Sequence, residues 1–286
     1  MQPIVNQKYF RHTKRGPFRM VAASTLLALI FVSAATSVPC CAADKTKLAE
    51  GEYGVTQAPK KETIGKVIDE WTLWRLPNGR LQVEVRPPQW FTPLREKGKM
   101  KQTFILTKKM ELVGYRVNAV ADTEQESISC NLRAHAISCT EGKNHVQRVV
   151  DKTPYTLIIA EFYALDLPWF YASIIHRADT PASTTPVYAL EEADTDSKVQ
   201  IVPDTSQEVK YLGKERITVL NKQLDAYKYE LPEMHSSVWT DPNSGMVLAF
   251  QFTDGDAHSK VMNNDVGRIE LVRFKSYNPI FVPELK

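Results

Sequence analysis

The sequence has 286 residues, of which 43% are hydrophobic and 24% are charged, and its formal net charge is +3. Five basic residues and no acidic residue lie within residues 1–43, so the rest of the chain carries a formal charge of −2. A slightly acidic body lacks the clustered cations that nucleic-acid binding needs, which argues against a nucleic-acid partner. Its length is sufficient for one large β domain or two small ones.

The N-terminal segment has the three-part layout of a secretory signal. A basic stretch ending at Arg19 precedes the apolar run 20–38, and small residues then lead to a cleavage site near Ala43. We therefore expect residues 1–43 to be a cleaved signal peptide and the mature protein to be periplasmic or secreted. The alternative is an uncleaved helix that anchors the protein in the membrane, because the apolar run is just long enough to span about 30 Å of hydrocarbon. Lipid attachment at Cys41 fits poorly, because another cysteine directly precedes it.

The segment after the expected cleavage site is polar and rich in lysine. We expect residues 44–63 to be a flexible linker and residues 64–286 to be a single β-rich domain. The first ordered element is predicted to be a hairpin, because Asn78 and Gly79 both tolerate the positive φ of a tight turn. Several prolines exclude a strand over residues 87–93, which are predicted to be a loop.

Further strands are predicted at short intervals, without alternating helices, which disfavours a parallel α/β fold. Alternating apolar side chains, such as Met246, Leu248 and Phe250, indicate a sheet with one buried face. The predicted strands are residues 66–76, 80–86, 102–107, 111–119, 127–132, 136–141, 187–190, 209–220, 226–231, 236–240, 246–252 and 268–274.

Cys130 and Cys139 lie on two short predicted strands that would place them opposite each other in a hairpin. In an exported protein such a pair predicts a disulfide. The alternative is a metal site completed by His135 and His145, although this spacing matches none of the usual paired-ligand patterns.

One substantial helix is predicted over residues 165–177. Asp166 can cap its start, Pro168 lies where no backbone N–H is needed, and Arg177 suits the negative end of the helix dipole. The segment is apolar on nearly every side, so it should be buried. The predicted fold is mainly β (α+β), a strongly curved antiparallel sheet or half-barrel wrapped around one buried helix.

Three motifs in the C-terminal half follow one another in a distinctive order. They are a Gly-x-Glu strand at Gly213, an Ala-Tyr-Lys strand at Ala226, and a Trp-x-Asp hairpin that runs from Trp239 to Gly245. In this order, over roughly residues 64–275, the chain resembles an uncharacterised family of exported bacterial proteins, a domain of unknown function. The resemblance implies a bent antiparallel sheet over a helix, broadly similar to the half-barrels of envelope lipoprotein carriers, and it implies no catalytic residues.

Aromatic side chains are spread over the predicted sheet and helix. A curved sheet can leave an apolar pocket between its concave face and the helix, the usual form of a ligand site. Alternatively, the same side chains fill that space as a close-packed core. We predict a non-catalytic protein, without a cofactor, that binds an apolar or amphipathic lipid-like ligand or a protein partner. The candidate ligand-lining residues are Trp71, Trp74, Trp169, Phe170 and Trp239.

Two alternatives from other functional classes remain. Asp254, Asp256 and His258 alternate along the chain, as the ligands of a metal-dependent hydrolase could, although Asp-Gly is also ordinary turn chemistry. His176 and His235 have no acid–base partner that the sequence identifies, and we interpret both as structural. The second alternative is a structural scaffold whose sheet edges pair with another chain.

Overall fold

The structure is a computed structural model. It describes residues 44–58, 61–86, 99–121, 124–150, 155–159, 167–175, 182–192, 199–204, 206–252 and 267–278. These ranges contain 17 strands and one α-helix. In chain order they are β1 (Thr46–Gln57), β2 (Val67–Arg75), β3 (Leu81–Arg86), β4 (Lys99–Leu106), β5 (Leu112–Ala121), β6 (Glu124–Arg133), β7 (Ala136–Glu141), β8 (Asn144–Val149), β9 (Thr156–Ile159), α1 (Leu167–Ile175), β10 (Ala182–Thr185), β11 (Val187–Glu192), β12 (Val199–Pro203), β13 (Gln207–Val219), β14 (Lys222–Leu231), β15 (Ser236–Thr240), β16 (Val247–Phe252) and β17 (Arg268–Ser276).

Fourteen of the strands in these ranges form one sheet, in the order β10-β13-β14-β15-β16-β17-β1-β2-β3-β4-β5-β6-β7-β8. Each neighbouring pair in it is antiparallel. A second sheet has the order β12-β11-β9, with β9 and β11 parallel. A parallel pair needs a long crossover, and α1 lies in this one.

The large sheet is strongly curved. β13 and β17 contact each other although three strands lie between them in the sheet. The β4–β5 turn also meets the β15–β16 turn, where Met110 Cγ lies 3.6 Å from the position that a Cβ on Gly245 would occupy. In a flat sheet β5 and β16 would be about 29 Å apart, six spacings of about 4.8 Å. The predicted class, a curved antiparallel sheet around a buried helix, is confirmed.

Irregularities in β1 contribute to the curvature. The register of β1 shifts between Glu52 and Tyr53 against β17, and between Tyr53 and Gly54 against β2. Such bulges bend a strand and increase its twist. At Gly51 the ring of Trp71 lies directly over the backbone, where a Cβ would be 2.6 Å from the Trp71 ring.

The two faces of the large sheet differ in chemistry. Directly paired residues share a face. The face that packs against α1, called the inner face below, is mostly apolar, whereas the outer face carries ion pairs such as Lys45–Glu84 at 2.5 Å. One row of inner-face positions runs across seven strands, through Phe274, Gly51, Trp71, Val85, Gln102, Val117 and Ile128.

The helix predicted over residues 165–177 is confirmed for Leu167–Ile175, where it is buried, and its predicted end residues Asp166 and Arg177 lie outside the described residues. The ring of Tyr171 packs edge-on to the ring of Phe250 on β16, with 5.1 Å between the ring centres. The Tyr171 and Ser236 hydroxyls form a 2.9 Å hydrogen bond. Ser173 donates to the Phe170 carbonyl at 2.7 Å and lies 3.0 Å from the Thr156 hydroxyl. Internal hydrogen bonds thus satisfy the Tyr171 and Ser173 hydroxyls that this helix buries, whereas the indole Nε1 of Trp169 has no partner among the described residues.

The prediction of a flexible linker over residues 44–63 is wrong, because β1 lies within this range. β1 pairs with both β2 and β17, so it joins the N-terminal and C-terminal parts of the sheet. Its polar residues misled the prediction because they project from the outer face, where Glu52 pairs with Arg273 at 2.5 Å. Lys47 pairs with Glu50 in the same way.

Four short strands were not predicted: β8, β9, β10 and β12. Of these, β10 pairs with β13. β8 and β10 are the two edge strands of the large sheet, and β8 has no fully buried side chain. An edge strand with few buried positions shows no apolar alternation, so the sequence gives no signal for it.

The expected signal peptide, residues 1–43, and the proline-rich loop, residues 87–93, lie outside the described residues. None of the helices within the ranges that the structure describes has the length and apolar character needed to cross a membrane.

Candidate functional site

The structure brings two of the predicted ligand-lining residues together. The rings of Trp71 and Trp169 meet edge to face at 5.2 Å, and Tyr53 lies 6.2 Å from the first and 6.3 Å from the second. These three residues, called the aromatic cluster below, are each at most 2% exposed. The cluster joins α1 to β1 and β2, and it occupies this part of the inner face with protein.

The other three predicted residues lie elsewhere. Phe170 is buried on α1. Trp74 lies on the outer face, with the Lys45 ammonium 4.3 Å from its ring centre. Trp239 is also on the outer face, under the guanidinium of Arg268 at 4.6 Å. Cation–π contacts of this kind cover the two outer indoles, so the five residues do not form one site.

Asp69 is the unexpected residue of the inner face. It is fully buried, directly opposite Tyr53 on the neighbouring strand. Neither carboxyl oxygen has a hydrogen-bond partner within the described part of the chain. Burial raises the pKa of this carboxyl well above its ordinary range, because the charged form loses its hydration. Burial, and then the nearby Asp69, likewise raise the pKa of Tyr53, whose hydroxyl donates to the Val247 carbonyl at 2.7 Å.

Gln102 repeats this pattern two strands away. It pairs with Val85 on one side and Val117 on the other, is fully buried, and has no partner among the described residues for either amide atom. The indole Nε1 atoms of Trp71 and Trp169 are also buried without a partner there. Since more than nine buried polar groups in ten are hydrogen-bonded, this set requires an explanation. We call Asp69, Gln102 and these two N–H groups the inner polar set.

Sequence reasoning missed Asp69 and Gln102, although a signal was present. Asp69 precedes Trp71 and Leu73 at the spacing of inward-facing positions, and Gln102 precedes Phe104 and Leu106 in the same way. A polar residue at an apolar position of the alternation marks a buried polar group.

Asp69 and Gln102 lie near the same rim of the sheet. β2 and β4 begin at this rim, and β3 ends there. β1 and β16 end there as well, where Gly267 donates to the Gln57 carbonyl at 2.8 Å and accepts from Phe252 at 3.0 Å. The described residues that flank two undescribed connections, residues 87–98 and 253–266, therefore lie at the rim near Asp69 and Gln102.

The predicted metal ligands Asp254, Asp256 and His258 lie in the second of these connections, outside the described residues. His176 also lies outside the described residues, directly after α1. The hydrolase alternative therefore stays a prediction. In the ranges that the structure covers, no group of three or more His, Cys, Asp or Glu residues is placed to hold a metal ion. His235 is exposed in the turn before β15, with a left-handed φ of 44°.

The predicted disulfide between Cys130 and Cys139 is confirmed. The two residues are directly paired on β6 and β7, with Cα atoms 4.1 Å apart. Both face the core and are at most 1% exposed. The alternative metal site with His135 and His145 is wrong, because the disulfide consumes both thiols.

No protein-family model matches the chain, and no curated protein matches it. Two solved structures are similar. A DUF1089 family protein from Pseudomonas aeruginosa is 13% identical over 62% of this chain and 86% of its own, with a TM-score of 0.36. A β-barrel-like protein of the domain of unknown function DUF1849 from Brucella abortus is 9% identical over 82% of this chain and 98% of its own, with a TM-score of 0.38. Both names refer to domains of unknown function.

Proposed function

We propose that this chain is a non-catalytic envelope protein that binds an apolar or amphipathic molecule on the inner face of its curved sheet, between the aromatic cluster and the rim near Asp69 and Gln102. The observation that carries the proposal is the burial of Asp69 and Gln102 without hydrogen-bond partners among the described residues. A buried polar group left unpaired costs about 1–3 kcal/mol of stability. A ligand whose polar atoms complete these hydrogen bonds explains why the inner face keeps them.

The surroundings of the inner polar set suit an apolar body. Val85 and Val117 flank Gln102, and Phe104 lies two residues further along the same face. Aliphatic and aromatic walls with a few polar groups are typical of small-molecule sites. The set holds donors and acceptors but no nucleophile beside a base, so binding fits it better than catalysis.

The proposed compartment is the periplasm or the exterior. A disulfide persists in oxidising compartments, and the signal-like residues 1–43 supply a route there. Fractionation of cells that produce the full chain, with mass spectrometry of the product, tests this. We expect an oxidised product that begins near Asp44 in the extracytoplasmic fraction, and a full-length cytoplasmic product would contradict it.

The binding proposal is tested by what the protein carries from its native envelope. We expect an apolar molecule in extracts of the purified protein, and a rise in melting temperature when that molecule is added back, because a ligand of the folded state stabilises it. The Asp69→Leu and Gln102→Leu variants should lose the molecule. Glu70→Leu is the matched control, since Glu70 is exposed on the other face of β2. Absence of any co-purifying molecule, together with no thermal shift, would contradict the proposal.

A further inference from the structure

The residues around the inner polar set restrict the charge that the polar group of a ligand can carry. Building on the proposed function, we infer that the ligand's polar group is uncharged, an alcohol, ester or amide on an apolar body, and that Asp69 holds it by hydrogen bonds.

An anionic head group does not fit the site. Within the described ranges, no lysine, arginine or histidine is buried to provide a counter-charge. A phosphate or carboxylate next to Asp69 would therefore be desolvated without compensation and would face another acid. The buried polar residues of the described ranges are Asp69, Gln102, Thr103, Thr156, Ser173, Thr185, Gln207, Ser236, Thr240 and Asp241.

A cationic head group fits little better. Asp69 would have to ionise to pair with it, and a fully buried ion pair recovers its desolvation cost only with excellent geometry and further hydrogen bonds. Apart from Asp69, the acceptor of the inner polar set is the Gln102 amide oxygen, and Gln102 lies two strands away from Asp69. The indoles of Trp71 and Trp169 can only donate, so they oppose an ammonium group.

An uncharged polar group meets neither obstacle. Desolvation raises the pKa of Asp69, which favours the protonated carboxyl that both donates and accepts. Trp71 lies two residues along the same face of β2 and is in contact with Trp169, so indole donors are close to the same region. An alcohol or carbonyl oxygen can accept from these donors, and a hydroxyl can also donate to Asp69.

A series of probes with one apolar chain separates these cases. We would measure binding of dodecanol, dodecylamine, dodecanoate and dodecane to the delipidated protein at neutral pH by calorimetry or native mass spectrometry. We expect dodecanol to bind at least about tenfold more tightly than either charged probe, the difference that one hydrogen bond or a buried charge produces. Dodecane should bind more weakly than dodecanol.

Variants of Asp69 identify the residue responsible. Asp69→Asn keeps an uncharged hydrogen-bonding group of the same shape, so the preference for dodecanol should remain. Asp69→Leu should weaken dodecanol binding about tenfold and leave dodecane unchanged. Glu70→Gln, on the opposite face of the same strand, should change neither. Circular dichroism and melting curves of each variant establish that it is folded.

The outcomes distinguish the two proposals. If dodecylamine or dodecanoate binds as tightly as dodecanol, or if Asp69→Leu leaves dodecanol binding unchanged, the inferred head group is wrong while a binding function remains. If none of the four probes binds and no apolar molecule co-purifies, the proposed function itself is wrong.

Discussion

At the scale of single residues, Asp69 occupies a position where the alternation of β2 would place an apolar side chain. Trp71 and Leu73 follow it on the same face, and both are buried. Burial of a carboxyl group without hydrogen bonds lowers the stability of the fold. The proposed ligand, which would form those hydrogen bonds, gives a functional reason for an aspartate at this position.

The buried carboxyl of Asp69 should make stability depend on pH. An unfolded aspartate ionises near pH 4, whereas burial raises the pKa of Asp69 well above that value in the folded state. Between the two pKa values the folded state binds more protons, so the free energy of unfolding falls as pH rises, by up to about 1.4 kcal/mol per pH unit. Urea titrations near pH 5 and pH 8 should show a loss for the wild type that is smaller in Asp69→Asn. Equal losses in both proteins would mean that Asp69 is ionised in the fold.

Gly51 is predicted to be intolerant of any side chain. A Cβ there would lie 2.5 Å from the Arg273 carbonyl oxygen and 2.6 Å from the Trp71 ring, so the backbone of β1 would have to move. We expect Gly51→Ala to lower the free energy of unfolding by about 1–3 kcal/mol, the usual cost of overpacking.

Gly114→Ala is the matched control, since a Cβ at this strand position meets its nearest neighbour at 3.4 Å. Denaturant unfolding should place it close to the wild type. A similar loss for both variants would show that the contact with Trp71 is not the cause.

At the scale of elements, the hairpin of β6 and β7 combines a local turn with a buried crosslink. The Cys130–Cys139 bond closes a loop with a sequence separation of 9. By loop entropy, replacing both cysteines with alanine should lower the free energy of unfolding by about 2–3 kcal/mol. Urea unfolding of Cys130→Ala/Cys139→Ala against the oxidised wild type measures this.

The reduced wild type is the natural control for the disulfide, because it lacks the bond but keeps both sulfur atoms. It should resemble the double variant. If the reduced and oxidised proteins unfolded at the same urea concentration, the crosslink would contribute nothing to stability.

At the scale of the whole molecule, β1 decides whether one sheet forms. It lies between β17 and β2, so its removal separates six strands on one side from seven on the other. It also carries Tyr53, which contacts Trp169 and donates to the Val247 carbonyl. A chain that begins at Asp44 should unfold cooperatively in urea with a β-type circular dichroism spectrum. A chain that begins at Ile64 should not, and a native-like cooperative transition in the shorter chain would contradict the central role of β1.

Local chemistry let the sequence predict much of this fold. The turn at Gly79 has the positive φ of 78° that Asn-Gly favours, and the hairpin that pairs Cys130 with Cys139 follows from two short alternating strands. The helix around Trp169 is likewise apolar enough to be recognised by itself. Each of these features depends on residues that are close together in the chain, so a short window contains its full cause.

The candidate site could not be predicted in the same way. The sequence analysis treated five aromatic residues as one set, although the odd spacing of Trp71 and Trp74 already places them on opposite faces of β2. The sheet register decides which of the two faces α1, and that Trp239 faces outward. The burial of Asp69 depends likewise on which strands lie beside β2. A shift of one residue in pairing would turn every side chain of a strand to the other face.

The sequence by itself therefore determined the β-rich class, the tight turns, the disulfide pair and the buried helix, because propensity, alternation and turn chemistry act locally. The tertiary structure alone decided that β1 joins the two parts of the sheet, and that a carboxyl and an amide lie on its inner face. Contacts between distant residues fix both, as in the hydrogen bond from Tyr53 to Val247, which spans 194 positions of the chain. No local pattern encodes which of many compatible strands will become neighbours, since that choice depends on how the whole sheet curves around α1.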